Sequence, residues 1–355
     1  MSLCPFRVVA IALFIAIIIS LECFSQSKLD SIQVLQEVVI TQQQIPIEMI
    51  PVQTLSGELL EKLNAHSVAD ALRYFSGVQL KDYGGIGGLK TVNIRSMGSQ
   101  HVGVFYDGIE IGNAQNGVVD LGRFSLDNMD AISLYNGQKS AIFQPAKDFA
   151  SASSIYMKAK IPVFDKSKQY NIKGTFKTGA FDLINPSALW EQAISKNVSS
   201  SLNLDYLTFT GKYKFTDKVK YPNSNQVAFD TTATRQNGDI EYFRIEHALF
   251  GKVNNGEWKT RAYYYKSERG YPGSTVKKEP GVYLNEDRQW DKNFFFQASY
   301  KKRVNKSYST LFSTKYAYDY LRYLSDPEKD EQVIIIVDNV YRQNEFYFSS
   351  ANMFN

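Results

Sequence analysis

At 355 residues with a formal net charge of +4, the chain is long enough for more than one domain and too evenly charged for a nucleic-acid binder. Its only cysteines, Cys4 and Cys23, fall in or before the cleavage region of an N-terminal leader, so the mature chain has no disulfide framework and no thiolate metal site.

The leader comes first in chain order. Arg7 precedes twelve uninterrupted apolar residues, Val8 to Ile19, and then Ser20-Leu21-Glu22-Cys23-Phe24-Ser25. The run is shorter than the ~20 residues of a spanning helix, and small residues near Ser25 suit cleavage, so residues 1–25 read as a signal peptide. A lipid-anchored leader using Cys23 is the alternative, disfavoured by Glu22 directly before it. Cleavage removes Arg7 and Glu22 together and leaves the net charge unchanged. Residues 26–50 hold Leu35-Gln36-Glu37-Val38-Val39-Ile40-Thr41, a short apolar segment ahead of a Gln42-Gln43-Gln44 spacer. By composition alone it fits an edge strand of its own domain as well as a strand lent to a partner.

Residues 51–160 have ordinary aromatic content and the clearest helix signals. Ser56 and Ser67 stand at N-cap positions, and Asp70 follows Ser67 by three residues, which favours the positive end of a helix. Leu59, Leu60 and Leu63 share one helical face, as do Val68, Ala71, Leu72 and Phe75, with Gly77 as the stop. Val92 and Ile94, then Val102, Val104 and Tyr106, alternate as strands of a small sheet. Asp107-Gly108 supplies the two positive-φ positions of a tight hairpin. Further strands are expected at Ala131 to Tyr135 and Ser154 to Lys158, giving a compact α+β unit.

Residues 161–355 read differently. Tyr170, Ile172, Phe176 and Thr178 alternate with Asn171, Lys173, Thr175 and Lys177. The same pattern recurs around Leu202 to Tyr206, Trp258 to Tyr264, Phe294 to Tyr300 and Tyr308 to Tyr318. Period two with polar residues inward and apolar or aromatic residues outward is that of a membrane barrel strand. A secreted β-sandwich also alternates, but its strands run ~5–6 residues, about half the length of these tracts. Asn254-Asn255-Gly256 marks a short turn, and 217–238 and 268–289 are expected to be long polar connections.

In this order and spacing the residues resemble a family. The segments LQEVVIT (35–41), DALRYFSGVQLKDYGGIGGLKTVNIRS (70–96), HVGVFYDGIEIGNAQNG (101–117) and DLGRFSLDNMDAISLYNGQKS (120–140) are similar to the TonB box and plug domain of TonB-dependent outer-membrane receptors, most of all cobalamin receptors and their Bacteroidetes-type relatives. ERGYPG at 268–273 resembles a loop found early in such barrels. The resemblance implies a transmembrane antiparallel β-barrel, incomplete here, with an N-terminal α+β plug domain. It further implies that Leu35 to Thr41 pairs with TonB, driven by the inner-membrane ExbB/ExbD motor, and that the protein lies in the outer membrane of a Gram-negative bacterium. Outer-membrane lipid, a corrinoid or iron-chelate ligand and a surface lipoprotein are the other partners it suggests.

Some positions depart from the family pattern. Ser96 follows the Ile-Arg pair where Gly is usual, Ser133 replaces a Glu, Gly137-Gln138 replaces Gly-Pro, and Ala152-Ser153-Ser154 replaces a closing Gly-Gly. Arg95 matches the plug arginine that pairs with barrel carboxylates, while Asp107 and Gly108 form the plug hairpin. Plugged barrels have ~22 strands, whereas the 195 residues from 161 to 355 supply about eight to ten at the length of a tilted span. The expectation is an N-terminal piece of a longer receptor.

No catalytic constellation is present: there is no phosphate loop, no dinucleotide fingerprint in Gly84-Gly85-Ile86-Gly87-Gly88 and no Gly-x-Ser-x-Gly elbow. His66, His101 and His247 are isolated, so neither a cofactor nor a metal is expected. Ligand capture falls to the loops Lys81 to Lys90, Ser96 to His101 and Glu110 to Gly117. There Tyr83, Gly85, Gln100, His101, Asn113, Gln115 and Asn116 offer close backbone approach and uncharged hydrogen-bonding groups. The same loops could equally be tight turns that fill the lumen. An amide-rich lining suits a corrinoid better than an anionic iron chelate, which would favour Arg and Lys clusters. A siderophore or haem receptor is the alternative, and a sensor or adhesion barrel the reading from another class.

Overall fold

The computed structural model describes residues 52–354 except 64, 114–116, 138, 140–142, 166, 222, 273–286 and 326–336. The leader, Leu35 to Thr41, Gln115 and Asn116 lie outside the described residues.

The first part contains β1 (Val52–Ser56), α1 (Gly57–Lys62), α2 (Val68–Leu72), β2 (Val78–Asp82), β3 (Lys90–Ile94), β4 (Val102–Tyr106), β5 (Ile109–Glu110), β6 (Met129–Tyr135) and β7 (Ser153–Ala159). Five of these strands form one sheet in the order β1-β6-β7-β4-β5, in which only β4 and β7 run parallel. Ser67 caps α2: its Oγ accepts from the Asp70 amide at 3.4 Å and donates to the Asp70 carboxylate at 2.9 Å. Ser56 holds the cap position of α1 without a side-chain bond, because it is still paired with Ala131 as the last residue of β1. The second helix is shorter than its apolar face suggests. It ends at Leu72 and continues as tighter turns, with the Phe75 amide donating to the Leu72 carbonyl, until Gly77 at φ +78° redirects the chain into β2.

Val92 and Ile94 were expected in the same sheet as Val102 to Tyr106. Instead β3 pairs with β2 in a separate hairpin, in register Val78↔Ile94. It is buried on both faces, so its alternation encodes no solvent side. The core joins Val68, Ala71 and Leu72 of α2 to Ile94, Val104, Ile132 and Ile155.

The second part comprises β8 (Tyr170–Gly179), β9 (Leu183–Ser195), β10 (Val198–Phe209), β11 (Lys214–Lys220), β12 (Val227–Thr234), β13 (Ile240–Val253), β14 (Gly256–Tyr271), β15 (Asp287–Arg303), β16 (Tyr308–Ser325) and β17 (Val337–Phe354). All but β11 and β12 form one antiparallel eight-stranded sheet in chain order, with β8 and β17 as unpaired edges, an open arc of a barrel wall. The strands reach 18 residues, far beyond a sandwich strand. Alternation is as expected: Asn203, Asp205, Arg244, Glu246, Arg261 and Gln297 are buried against the plug, and Phe176, Trp190, Phe296 and Phe346 are exposed on the outside. The fold is therefore an incomplete transmembrane-type antiparallel barrel with an N-terminal α+β plug. No described helix is long and apolar enough to cross a membrane.

Two expected connections are corrected. The polar stretch 217–238 contains most of the β11–β12 hairpin, whose Lys/Thr-rich strands lack an apolar period. The 268–289 connection is shorter than expected, because β14 runs to Tyr271 and β15 starts at Asp287. Glu268 to Tyr271 are thus strand rather than loop, paired with β15 through their backbones.

Candidate ligand cavity and the plug–wall contact

The inward residues of β13 to β17 grip the plug. Arg261 pairs with Glu246 on the neighbouring strand and with Asp107 of the plug hairpin at 2.6 Å, and its guanidinium lies 4.2 Å from the centre of the Tyr106 ring. Glu246 also accepts from the Tyr106 hydroxyl at 2.7 Å and from Asn128 at 2.6 Å. Asp107 can reach the wall because the hairpin holds it at φ +48° ahead of Gly108 at φ +83°, the backbone that an Asp-Gly pair supports. Arg269 pairs with Asp120 of the plug at 3.0 Å and Asp291 of the wall at 3.3 Å. Arg244 pairs with Asp205 and donates to the Arg123 carbonyl at 3.0 Å. Other contacts also target plug backbone: Tyr263 donates to the Arg123 carbonyl at 2.9 Å, Gln297 to the Tyr106 carbonyl at 3.1 Å and Lys315 to the Glu110 carbonyl at 2.6 Å. Behind them, Tyr263 and Phe295 stack at 4.8 Å beneath Tyr106 and Phe124.

This arrangement corrects the expectation for Arg95. It is exposed in the turn after β3 at φ +49°, and among the described residues it pairs with no wall carboxylate. The arginine pairs run the other way, from Arg261 and Arg269 on the wall to Asp107 and Asp120 on the plug, while Lys147 of the plug meets Glu345 of the wall. Arg261 was legible as an inward position of its strand; its aspartate partner was not, because alternation says nothing about what faces it.

Within the plug, burial works against the Asp70 carboxylate, yet the Lys90 ammonium at 2.7 Å and the Ser67 hydroxyl outweigh it and hold its pKa below the ordinary value. Burial likewise opposes charge on Lys147, but Glu110 at 2.9 Å and Glu345 at 3.1 Å raise its pKa. Asp148 is the opposite case. Burial pushes its carboxyl up to about 7, against the weaker downward pull of the Tyr156 hydroxyl and the Lys139 ammonium.

Above the grip, a cavity of about 260 Å³ lies between plug loops and wall. Three of the expected ligand residues, Tyr83, Gln100 and Asn113, meet there, joined by Thr91, Ser99, Tyr265, Gln289 and Asn293. Its charged groups are Arg123, Asp120, Arg269 and Asp291, the last three in one ion-paired set. Asp82 shapes the glycine loop by accepting from the Gly84 and Gly85 amides at 3.2 and 2.7 Å. Gly85 itself, at φ +74°, and the exposed His101 do not line the cavity. Gln289 and Asn293 were missed because their partners in the cavity are remote in sequence. Among the described residues no group of His, Cys, Asp and Glu could hold a metal ion.

An α+β domain with apical glycine loops, gripped by inward polar residues of a strongly alternating wall, defines a plug-and-barrel fold. Residues 48–147 match the TonB-dependent Receptor Plug Domain family. The chain is 30% identical over 102 residues to the vitamin B12 transporter BtuB of Photobacterium profundum, covering 29% of this chain and 17% of that protein. It is 28% identical over 136 residues to the vitamin B12 transporter BtuB of Vibrio cholerae, covering 37% and 22%. These alignments span about a fifth of the length of the curated relatives. Among solved structures, the copper transporter OprC aligns with a TM-score of 0.59 at 11% identity, over 84% of this chain and 42% of that one. The siderophore receptor PiuA from Acinetobacter baumannii aligns with a TM-score of 0.55 at 14% identity, over 85% and 42%. At such identities the likeness is one of fold, a plug domain held by part of a β-barrel wall.

Proposed function

We propose that the chain carries the plug and part of the wall of an outer-membrane, TonB-dependent import receptor for a large, scarce ligand, with a corrinoid as the leading candidate. The observation that carries this reading is the cavity in which plug and wall amides converge around largely ion-paired charge. A cavity of about 260 Å³ takes only an edge of a corrinoid, and the uncharged amide side chains on a corrin rim match Gln100, Asn113, Gln289 and Asn293 as mutual donors and acceptors. A polyanionic iron chelate would meet Asp120 and Asp291 beside the arginines. The relatives described as vitamin B12 transporters support the same choice, and the Bacteroidetes-type relationship belongs to the same proposal. Coupling would run through Leu35 to Thr41 to TonB and its ExbB/ExbD motor, with a surface lipoprotein as a further partner.

Calorimetry on the purified receptor should detect cyanocobalamin binding, and Tyr83→Ala with Gln100→Ala should weaken it by about 1–3 kcal/mol, the scale of lost hydrogen bonds. Tight binding of a ferric siderophore with no response to cyanocobalamin would move the assignment to the siderophore alternative.

A further inference from the structure

The outward face of the wall carries a second feature, separate from the lumen. Strand register lines up Ala262, Phe296, Tyr316 and Phe346 in one cross-strand row and Tyr264, Phe294 and Tyr318 in the next. With the rows back to Trp258 and Tyr300, this apolar and aromatic band runs about 20 Å along the strands at ~3.3 Å per residue, with aromatic rows of the kind that border a membrane band. The row immediately beyond it, toward the long connections, is Lys266, Lys292, Tyr320 and Arg342, directly opposite one another on β14 to β17.

Lys266, Lys292 and Arg342 are exposed, and among the described residues none is ion-paired with a carboxylate. Lys292 and Arg342 flank the Tyr320 ring at 5.6 and 5.8 Å. The next two rows out are balanced against each other: Arg322 pairs with Asp338 at 2.8 Å, and Arg288 with Glu268 at 2.6 Å. Like charges directly opposite in a ladder are unfavourable, and among the described residues no carboxylate pairs with Lys266 or Lys292 to offset it. An anion between them would remove the repulsion. The row borders the aromatic band, where lipid headgroups lie, and the end with the longer connections is the extracellular one in such barrels.

We infer that Lys266, Lys292 and Arg342 form a binding site on the outer face of the wall for the phosphate groups of an outer-leaflet phosphorylated glycolipid. The acyl chains lie along the aromatic band and the phosphates bridge the strands, over about 14 Å from β14 to β17 at ~4.8 Å per strand. The site rests on the outer-membrane reading above but not on the identity of the imported ligand.

The test uses the receptor extracted from outer membranes into neutral detergent, with bis-phosphorylated lipid A and its dephosphorylated form as probes in native mass spectrometry. Wild type should bind the bis-phosphorylated form at least ten-fold more tightly. Lys266→Gln/Lys292→Gln/Arg342→Gln should abolish that preference and keep binding to the dephosphorylated form, while Lys302→Gln, on the same strand parity as Lys292 but at the short-turn end, should keep the preference. Equal binding of the two lipids by wild type, or a preference that survives in the triple variant, would overturn the site and leave the receptor reading intact. Absence of the protein from the outer-membrane fraction would overturn that reading itself.

Discussion

Replacing Arg261 by Met tests the plug–wall grip at its centre. The methionine roughly preserves volume but leaves Asp107 and Glu246 without their shared cation in a site where the arginine is 3% exposed. Breaking a buried pair in this way costs about 3–5 kcal/mol. The lower end applies here, because Glu246 keeps the Tyr106 and Asn128 donors and Asp107 keeps the Ala159 amide at 3.0 Å. Adding Glu246→Gln removes one stranded charge and should recover about 1 kcal/mol or more, a non-additivity expected of residues in direct contact. The measurement is urea unfolding of the receptor in detergent, read by labelling of a cysteine placed at Val104 in the core; the native cysteines stand at positions 4 and 23. A single variant within about 1 kcal/mol of wild type, or a double variant no more stable than the single, would refute the reasoning.

Other outcomes follow from neighbouring features. The Asp148 carboxyl is pushed up to about 7 from an ordinary value of 3.8, so the unfolded chain loses its proton first. Stability should be greatest below the unfolded pKa, fall as pH rises toward 7 and level off above it. Urea midpoints across that range should slope for wild type and flatten for Asp148→Asn. Gly251→Ala would drive a Cβ to within 2.0 Å of the Trp258 ring that covers this glycine across the β13–β14 pair, so a lower melting temperature in detergent is expected, with little change in cyanocobalamin affinity. Under the proposed coupling, Val38→Pro removes a backbone donor; cells should lose cyanocobalamin uptake while surface binding persists, and unchanged uptake would reject the assignment of Leu35 to Thr41.

The wall was legible where both faces had distinct chemistry. Tyr170 to Thr178 and Phe294 to Tyr300 alternate cleanly because lipid and lumen select opposite residues. β9 was not, because Asn185-Pro186 interrupts its run. Pro186 has no amide to give β10, and the Asn185 side chain donates to the Tyr206 carbonyl at 2.8 Å in that region of the ladder. The inward aromatics Tyr263 and Phe295 escaped for another reason: a lumen filled by a protein domain accepts apolar side chains that a water-filled one would not. In the plug, the Ser67 cap and the Asp107-Gly108 hairpin are local and were readable. The pairing of β3 with β2 depends on burial on both faces, which removes the period that would have placed it. In the cavity, Tyr83, Gln100 and Asn113 were identified as loop residues, but Gln289 and Asn293 belong to the wall and are joined to them only by the fold.

The wall holds main-chain oxygens of the plug at Tyr106, Glu110 and Arg123. A carbonyl looks the same whatever side chain its residue bears. At Glu110 and Arg123 a substitution that preserves the chain path leaves these wall donors satisfied, whereas the Tyr106 side chain also gives its hydroxyl to Glu246 and its ring to Arg261. The side-chain pairings of Tyr106, Asp107, Asp120, Asn128 and Lys147 with the wall are then among the points at which a transplanted plug and a foreign wall would have to be matched.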